Sequence, residues 1–177
     1  MKFTPTKLAG VFVIEMERHH DERGWFARTW CAEEFQAHGL EPALFQCSSS
    51  FNVHRGTLRG MHFQSAPHEE AKVVRCTRGK AFDVALDLRV GSPTWGQWTA
   101  AELTPENGRS LYIPKGCAHG FQTLEDNTEI FYSIAHAYHP AAGRGVRWND
   151  PRFAIDWPLP DSPILSPRDA GYPDYTP

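Results

Sequence analysis

Turn residues punctuate this chain at short intervals, and that spacing limits what it can fold into more than any other feature. Asp21-Glu22-Arg23-Gly24, Arg78-Gly79, Gly91-Ser92-Pro93, Pro105-Glu106-Asn107-Gly108 and Pro114-Lys115-Gly116 are such clusters. Between them lie short runs rich in β-branched and aromatic residues, among them Val11 to Glu15, Lys72 to Cys76, Ala81 to Leu88, Ser110 to Ile113 and Glu129 to Ile134. Many short segments so bounded predict strands, and strands at this spacing predict an all-β sandwich or barrel. Only the stretch from Cys31 to Ala37 reads as a helix, opened by acidic residues and closed by His38-Gly39. From Trp157 onward the chain is proline-rich, with Pro158, Pro160, Pro163, Pro167, Pro173 and Pro177. Proline cannot donate to a sheet ladder, so this tail predicts an extended arm over the barrel, with a short helical turn after Ser166. At 177 residues the chain reads as one domain, 1–177, with its arm from about residue 157.

Two motifs carry the chemistry. The first runs from Gly56 to Gln64 as Gly-Thr-Leu-Arg-Gly-Met-His-Phe-Gln and is followed by Lys72; the second runs from Gly108 to Phe121 and contains Pro114, Gly116 and His119. Their order and spacing resemble the two halves of a cupin metal site, so the fold expected is a cupin-type double-stranded β-helix, a jelly-roll barrel with a few short helices. The ligand set is broken. Gly56 and His62 fit the first half, but Gln64 stands where the second histidine belongs and Lys72 where the glutamate belongs. An ammonium cannot ligate a cation, and an amide is a poor substitute for imidazole. The expectation is a retained pocket that works without a metal or any other cofactor. A histidine, a lysine and an arginine facing one cavity suit proton movement on an anionic substrate.

Composition removes other classes. A net charge of −3 gives no basic field for nucleic acid. No apolar run approaches the ~18 residues a membrane span needs, and the first residues lack the apolar region of a secretion signal, so the reading is cytoplasmic, with no membrane partner. Cys31, Cys47, Cys76 and Cys117 are far apart and form no metal-binding pair; they are expected to be free, buried thiols.

Nearly the whole chain, from about Gly10 to Asp169, resembles the dTDP-4-dehydrorhamnose 3,5-epimerase family. The resemblance is carried by Asp21 to Phe26, Leu58 to Gln64, Lys72 to Arg75, Phe82 to Arg89, Ser92 to Thr94, Ile113 to Phe121, Trp148 to Asp150, Trp157-Pro158 and Leu165 to Asp169. It implies an isomerase that inverts carbons beside the ketone of a nucleotide-diphospho-4-keto-6-deoxy sugar, a step in deoxysugar and cell-surface polysaccharide synthesis. Such a reaction needs a base, an acid across the ring and a cation for the enolate oxygen. By the resemblance His62 is the base, Asp169 the carboxylate that orients it, Tyr132 the acid and Lys72 the cation. Arg23 and Arg59 match the diphosphate contacts. Phe26, Gln46 and Tyr138 match positions near the nucleotide and sugar, His119 and Asp83 are buried polar residues beside the site, and Arg168 lies in the carboxy-terminal motif. The family also implies a homodimer that exchanges an N-terminal strand.

Taken singly these residues have plainer readings: His62 as a core histidine, Tyr132 as a core aromatic, Lys72 and Arg23 as surface charges, Asp169 as a helix cap. The chain also departs from the family pattern. Ser48 stands where an asparagine is usual, and Arg28 where an acid is usual. Those departures leave open a GDP- or CDP-linked sugar; the same residue set also suits inversion at one carbon rather than two, and the competing readings are a 3,4-ketoisomerase, against which Tyr132 with His62 and Asp169 favours epimerisation, and a binder without activity. His19-His20 and the pair His136 and His139 show no ligand spacing.

Overall fold

The computed structural model describes residues 1–176; Pro177, the last proline of the arm, lies outside the described residues. Among the described residues, thirteen strands, two short α-helices and one 3-10 turn appear in the order β1 (Lys2–Pro5), β2 (Phe12–Glu15), β3 (His19–Asp21), β4 (Gly24–Phe26), α1 (Ala32–Ala37), β5 (Gln46–Asn52), β6 (Leu58–Gln64), β7 (Lys72–Arg78), β8 (Ala81–Asp87), β9 (Trp98–Leu103), β10 (Arg109–Ile113), β11 (Cys117–Thr123), β12 (Thr128–Ile134), the 3-10 turn (Pro140–Ala142), β13 (Gly143–Gly145) and α2 (Pro167–Ala170). The strands read from the turn spacing are present with ends shifted by a residue or two, and the helix starts one residue later than expected.

Two antiparallel sheets face each other as the cupin-type jelly roll. One has the order β1-β2-β10-β7-β12-β5 and the other β13-β6-β11-β8-β9; β3 and β4 form a separate hairpin. Alternation along each strand decides what faces the interior. Val74 and Cys76 of β7, Leu111 and Ile113 of β10 and Ile130 of β12 meet Ala81 and Ala85 of β8, Leu103 of β9 and Cys117 and Phe121 of β11 in one core. The same parity turns Lys72, Tyr132, Asp83 and His119 inward. The interior therefore mixes apolar core residues with a set of inward polar side chains.

Each sheet is also covered outside. Phe35 of α1 packs with Ile14, Leu40, Val73 and Tyr112 over the six-stranded sheet. The arm covers the five-stranded sheet, where Phe153 and Trp157 pack on Met61, Val84 and Leu86. Its prolines prevent strand pairing, so side chains and isolated bridges hold it. The Gln122 amide donates to the Leu159 carbonyl and accepts from the Leu159 N–H, and Ile164 pairs with Thr57 in a lone parallel bridge. The helical turn expected after Ser166 is α2, capped by the Ser166 hydroxyl, which accepts from the Asp169 N–H at 3.1 Å. All four cysteines are free, but only Cys76 and Cys117 are buried; Cys47 is exposed and Cys31 half-buried, which corrects the expectation of four buried thiols. Burial pushes the Cys76 thiol up to about 11 and Cys117 to about 12, so neither is a thiolate near neutral pH. Among the described residues no helix is long and apolar enough to cross a membrane.

Candidate active site

The inward polar side chains surround a cavity of about 430 Å³ lined by Gln46, Ser48, Ser50, Arg59, His62, Lys72, His119, Phe121, Tyr132, Ile134 and Tyr138. Both sheets contribute. Strict alternation would send Arg59 and His62 to opposite faces of β6. Instead β6 carries an extra residue against β11: His62 pairs with His119 and Arg59 with Phe121, with the register shifting between. This bulge turns both side chains into the cavity. Glycine makes the bulge possible, because a Cβ on Gly60 would lie 2.6 Å from the Gly120 Cα and Gly60 has φ +149°.

His62 is paired with Asp169, which α2 brings across the barrel mouth. The His62 Nε2 lies 2.7 Å from the Asp169 Oδ1. Burial alone would raise the Asp169 carboxyl, but the hydrogen bond and charge of His62, with the Gly60 N–H and Ser166, hold it below the usual carboxylate range. An ionised carboxylate only accepts, so Nε2 carries the proton and Nδ1 keeps the free lone pair. Tyr172, which no sequence motif singled out, packs edge-on against the His62 ring with centroids 6.1 Å apart. Its ring also lies on Gly145, where a Cβ would collide with it. The signal for it was weak: an aromatic residue just beyond α2, facing a glycine on a different strand.

Tyr132 and Lys72 project from the opposite sheet. Burial is the main cause that pushes the Tyr132 phenol well above its usual value, and the Asp83 charge adds to it. The phenol is therefore a proton donor at neutral pH. The Tyr132 ring meets His119 edge-on at 6.0 Å. Lys72 is buried and its ammonium lies 2.8 Å from the Glu70 Oε1. Beneath the cavity, the His119 Nε2 bonds the Asp83 Oδ1 at 2.7 Å. Burial raises the Asp83 carboxyl against the opposing pull of His119 and Lys72, and its other oxygen has no partner. The Arg59 Nε donates to the Asn52 Oδ1 at 2.8 Å, which leaves its terminal nitrogens free at the cavity wall.

The donors at the former metal position do not suit a metal. The Gln64 amide faces away and staples loops together, reaching the His68 and Ala137 carbonyls, Glu70 and the His139 N–H. Lys72 supplies a positive charge. The two imidazoles left, His62 and His119, are each tied to a carboxylate.

Eight of the twelve expected site residues line the cavity or its immediate support: His62, Lys72, Tyr132, Gln46, Arg59, His119 and Tyr138 line it, and Asp169 holds His62. Asp83 sits one layer below. Arg168 lies outside, its guanidinium 5.8 Å from the Tyr172 ring centroid. Arg23 and Phe26 do not reach this cavity. They sit on the exposed β3–β4 hairpin, where the Arg23 Nη2 bonds the Asp21 Oδ2 at 2.6 Å and Phe26 is 74% exposed. Arg28 is likewise remote, bonded to the Glu34 Oε1 at 3.0 Å. A larger groove of about 750 Å³, with Lys7, Trp98, Asp156 and Trp157, lies on the outer face and gathers no acid–base set.

Residues 5–176 match the family model described as dTDP-4-dehydrorhamnose 3,5-epimerase. The chain belongs to that family. A family member from Methanothermobacter thermautotrophicus, a dTDP-4-dehydrorhamnose 3,5-epimerase, is 44% identical over 97% of this chain and 92% of its own. The crystal structure of the Elizabethkingia anophelis dTDP-4-dehydrorhamnose 3,5-epimerase superposes with a TM-score of 0.96 at 36% identity, covering 99% of this chain and 96% of that one. The family enzyme from Legionella pneumophila, solved in complex with dTDP-4-keto-L-rhamnose, superposes with a TM-score of 0.90 at 35% identity over 99% of both chains.

Proposed function

We propose that this protein epimerises a dTDP-linked 4-keto-6-deoxy sugar at the carbons flanking its ketone, converting dTDP-4-dehydro-6-deoxyglucose to dTDP-4-dehydrorhamnose in deoxysugar synthesis. The observation that carries the reading is the arrangement across the cavity. The His62–Asp169 pair comes from the five-stranded sheet and the arm, and Tyr132 with Lys72 comes from the six-stranded sheet. Base and acid therefore face a sugar from two sides, as inversion requires.

The C–H bond beside the ketone breaks as the His62 Nδ1 takes its proton. The electron pair moves onto the ketone oxygen, and the enolate charge is held by the Lys72 ammonium. Asp169 stabilises the imidazolium that forms. The Tyr132 hydroxyl then delivers a proton to the opposite face, which burial makes feasible by keeping the phenol protonated. Arg59 holds the diphosphate through its unbonded guanidinium nitrogens. No metal takes part.

The protein acts as a homodimer in this reading. Arg23 and Phe26 lie on a hairpin that projects from its own barrel, while the cavity lip is β5, an edge strand with no neighbour on its outer side. A hairpin from a second copy at that edge satisfies both features. The reaction is tested by incubating the protein with dTDP-4-keto-6-deoxyglucose in deuterated buffer. Deuterium at ring positions 3 and 5 is expected. Deuterium at one position alone identifies a single-carbon epimerase, and none at either overturns the reading. Calorimetry with dTDP, UDP, GDP and CDP tests the nucleotide; preference for GDP or CDP overturns the dTDP assignment alone.

A further inference from the structure

Outside the cavity, three imidazoles meet where the loop after β6 faces the chain leaving β12. One ring nitrogen from each of His68, His136 and His139 lies within 4.8 Å of the other two. The His68 and His139 rings stack with centroids 3.7 Å apart, and His136 stands 5.7 Å from His139. All three are half-buried. Imidazole nitrogens gathered this closely are the kind of donor set that divalent transition metals bind.

Two further features point the same way. The His136 Nδ1 lies 3.2 Å from the Ala137 carbonyl. A carbonyl only accepts, so Nδ1 carries the proton and Nε2 is the free donor. That outer hydrogen bond is the device that fixes the tautomer of metal-bound histidines. The backbone beneath is also pinned, because the Gln64 amide joins the His68 carbonyl, the Ala137 carbonyl and the His139 N–H.

We propose that His68, His136 and His139 bind a divalent transition-metal ion of the zinc class through three imidazole nitrogens, with water or another donor completing a tetrahedron. Zinc–nitrogen bonds of ~2.0–2.1 Å set the donor atoms roughly 3.3 Å apart, so small ring rotations close the site. The neighbouring Glu70 is not a ligand, being engaged by Lys72 and Gln64. The ion plays no part in the proton transfers. It fastens the cavity rim, because Tyr138 lies between two of its ligands and lines the cavity. His136 and His139 alone gave no ligand spacing in the sequence because the third ligand, His68, comes from a different strand connection.

Untagged protein, stripped with chelator, is dialysed against Zn²⁺ and separately Co²⁺, and bound metal is counted by elemental analysis. One ion per chain is expected, with the visible absorption of tetrahedral Co²⁺ and a melting temperature raised by about several degrees at saturating metal. His68→Gln and His139→Gln are each expected to weaken binding by about tenfold or more and the triple His68→Gln, His136→Gln, His139→Gln variant to abolish it, because each removes a ligand. A His38→Gln, His54→Gln control keeps the ion. Wild-type protein that binds no ion saturably below about 100 μM, a concentration far above that of structural zinc sites, overturns the proposal whether or not a variant folds. So does a folded triple variant that binds as the wild type does.

Discussion

At the scale of single residues, the proposed reaction depends on which nitrogen of His62 is free and on a phenol kept protonated. His62→Ala is expected to stop deuterium wash-in, lowering turnover by ~10²–10⁴ or more while dTDP affinity and melting temperature stay near wild type. A variant that exchanges deuterium at the wild-type rate places the base elsewhere. Tyr132→Phe removes one oxygen from a buried ring, so packing survives. It is expected to allow proton removal but impair delivery, giving deuterium incorporation without net inversion; unchanged rate and stereochemistry make Tyr132 a core aromatic only. Tyr172 acts by touching His62. Tyr172→Ala should lower kcat with little change in KM, whereas Tyr172→Phe should behave as wild type, because the hydroxyl is buried without a partner.

At the scale of elements, one part of the family pattern is structural. Asp87 ends β8 and its carboxylate holds the turn to β9, accepting from the Arg89 guanidinium at 2.9 and 2.7 Å and from the Ser92 and Thr94 hydroxyls at 2.6 Å each. Burial opposes ionisation, but these donors together pull the carboxyl far below its ordinary value. A depressed folded value means that the stabilisation is fully present above the unfolded carboxylate range, near pH ~4, and is lost as pH falls through the folded value. Asp87→Asn is therefore expected to cost about 2–4 kcal/mol at neutral pH. The gap should narrow as pH drops below the unfolded value. Denaturant melts across pH check this, and a gap that stays constant rules out the carboxylate charge as its source.

At the scale of the molecule, the site is short of the hairpin residues Arg23 and Phe26, and a second copy is the proposed source. Sedimentation should give a dimer, and Trp25→Ser with Phe26→Ser should shift it toward monomer, since both rings are largely exposed on a hairpin with no apolar cover of its own. Subunit mixing is a sharper test. His62→Ala and Arg23→Ala proteins are each expected to be impaired, and mixing equal amounts should recover up to about a quarter of wild-type sites, because half the dimers are mixed and each then holds one intact site. No recovery on mixing, with subunit exchange verified, means that Arg23 serves no neighbouring site.

Sequence alone is enough for the all-β class, the end of the strand pattern at Trp157 and the helical turn after Ser166, while the grouping of His62, Lys72 and His119 is an expectation from the resemblance to the two cupin motif halves. The first three follow from local chemistry: period-two alternation, proline without an N–H, and glycines placed for tight turns. It did not determine β5, β9 or β13 from pattern, because Gln46 to Asn52 is polar and serine-rich and becomes a strand only by pairing with β12. That Arg59 and His62 share a cavity came from the folded chain, since it rests on a bulge between β6 and β11. The tertiary structure alone decided that Gln64 serves loops rather than the cavity, that Tyr172 packs on His62, and that His68 joins His136 and His139. Each of these is a contact between residues far apart in the chain, set by sheet register and closure of the barrel rather than by any local propensity.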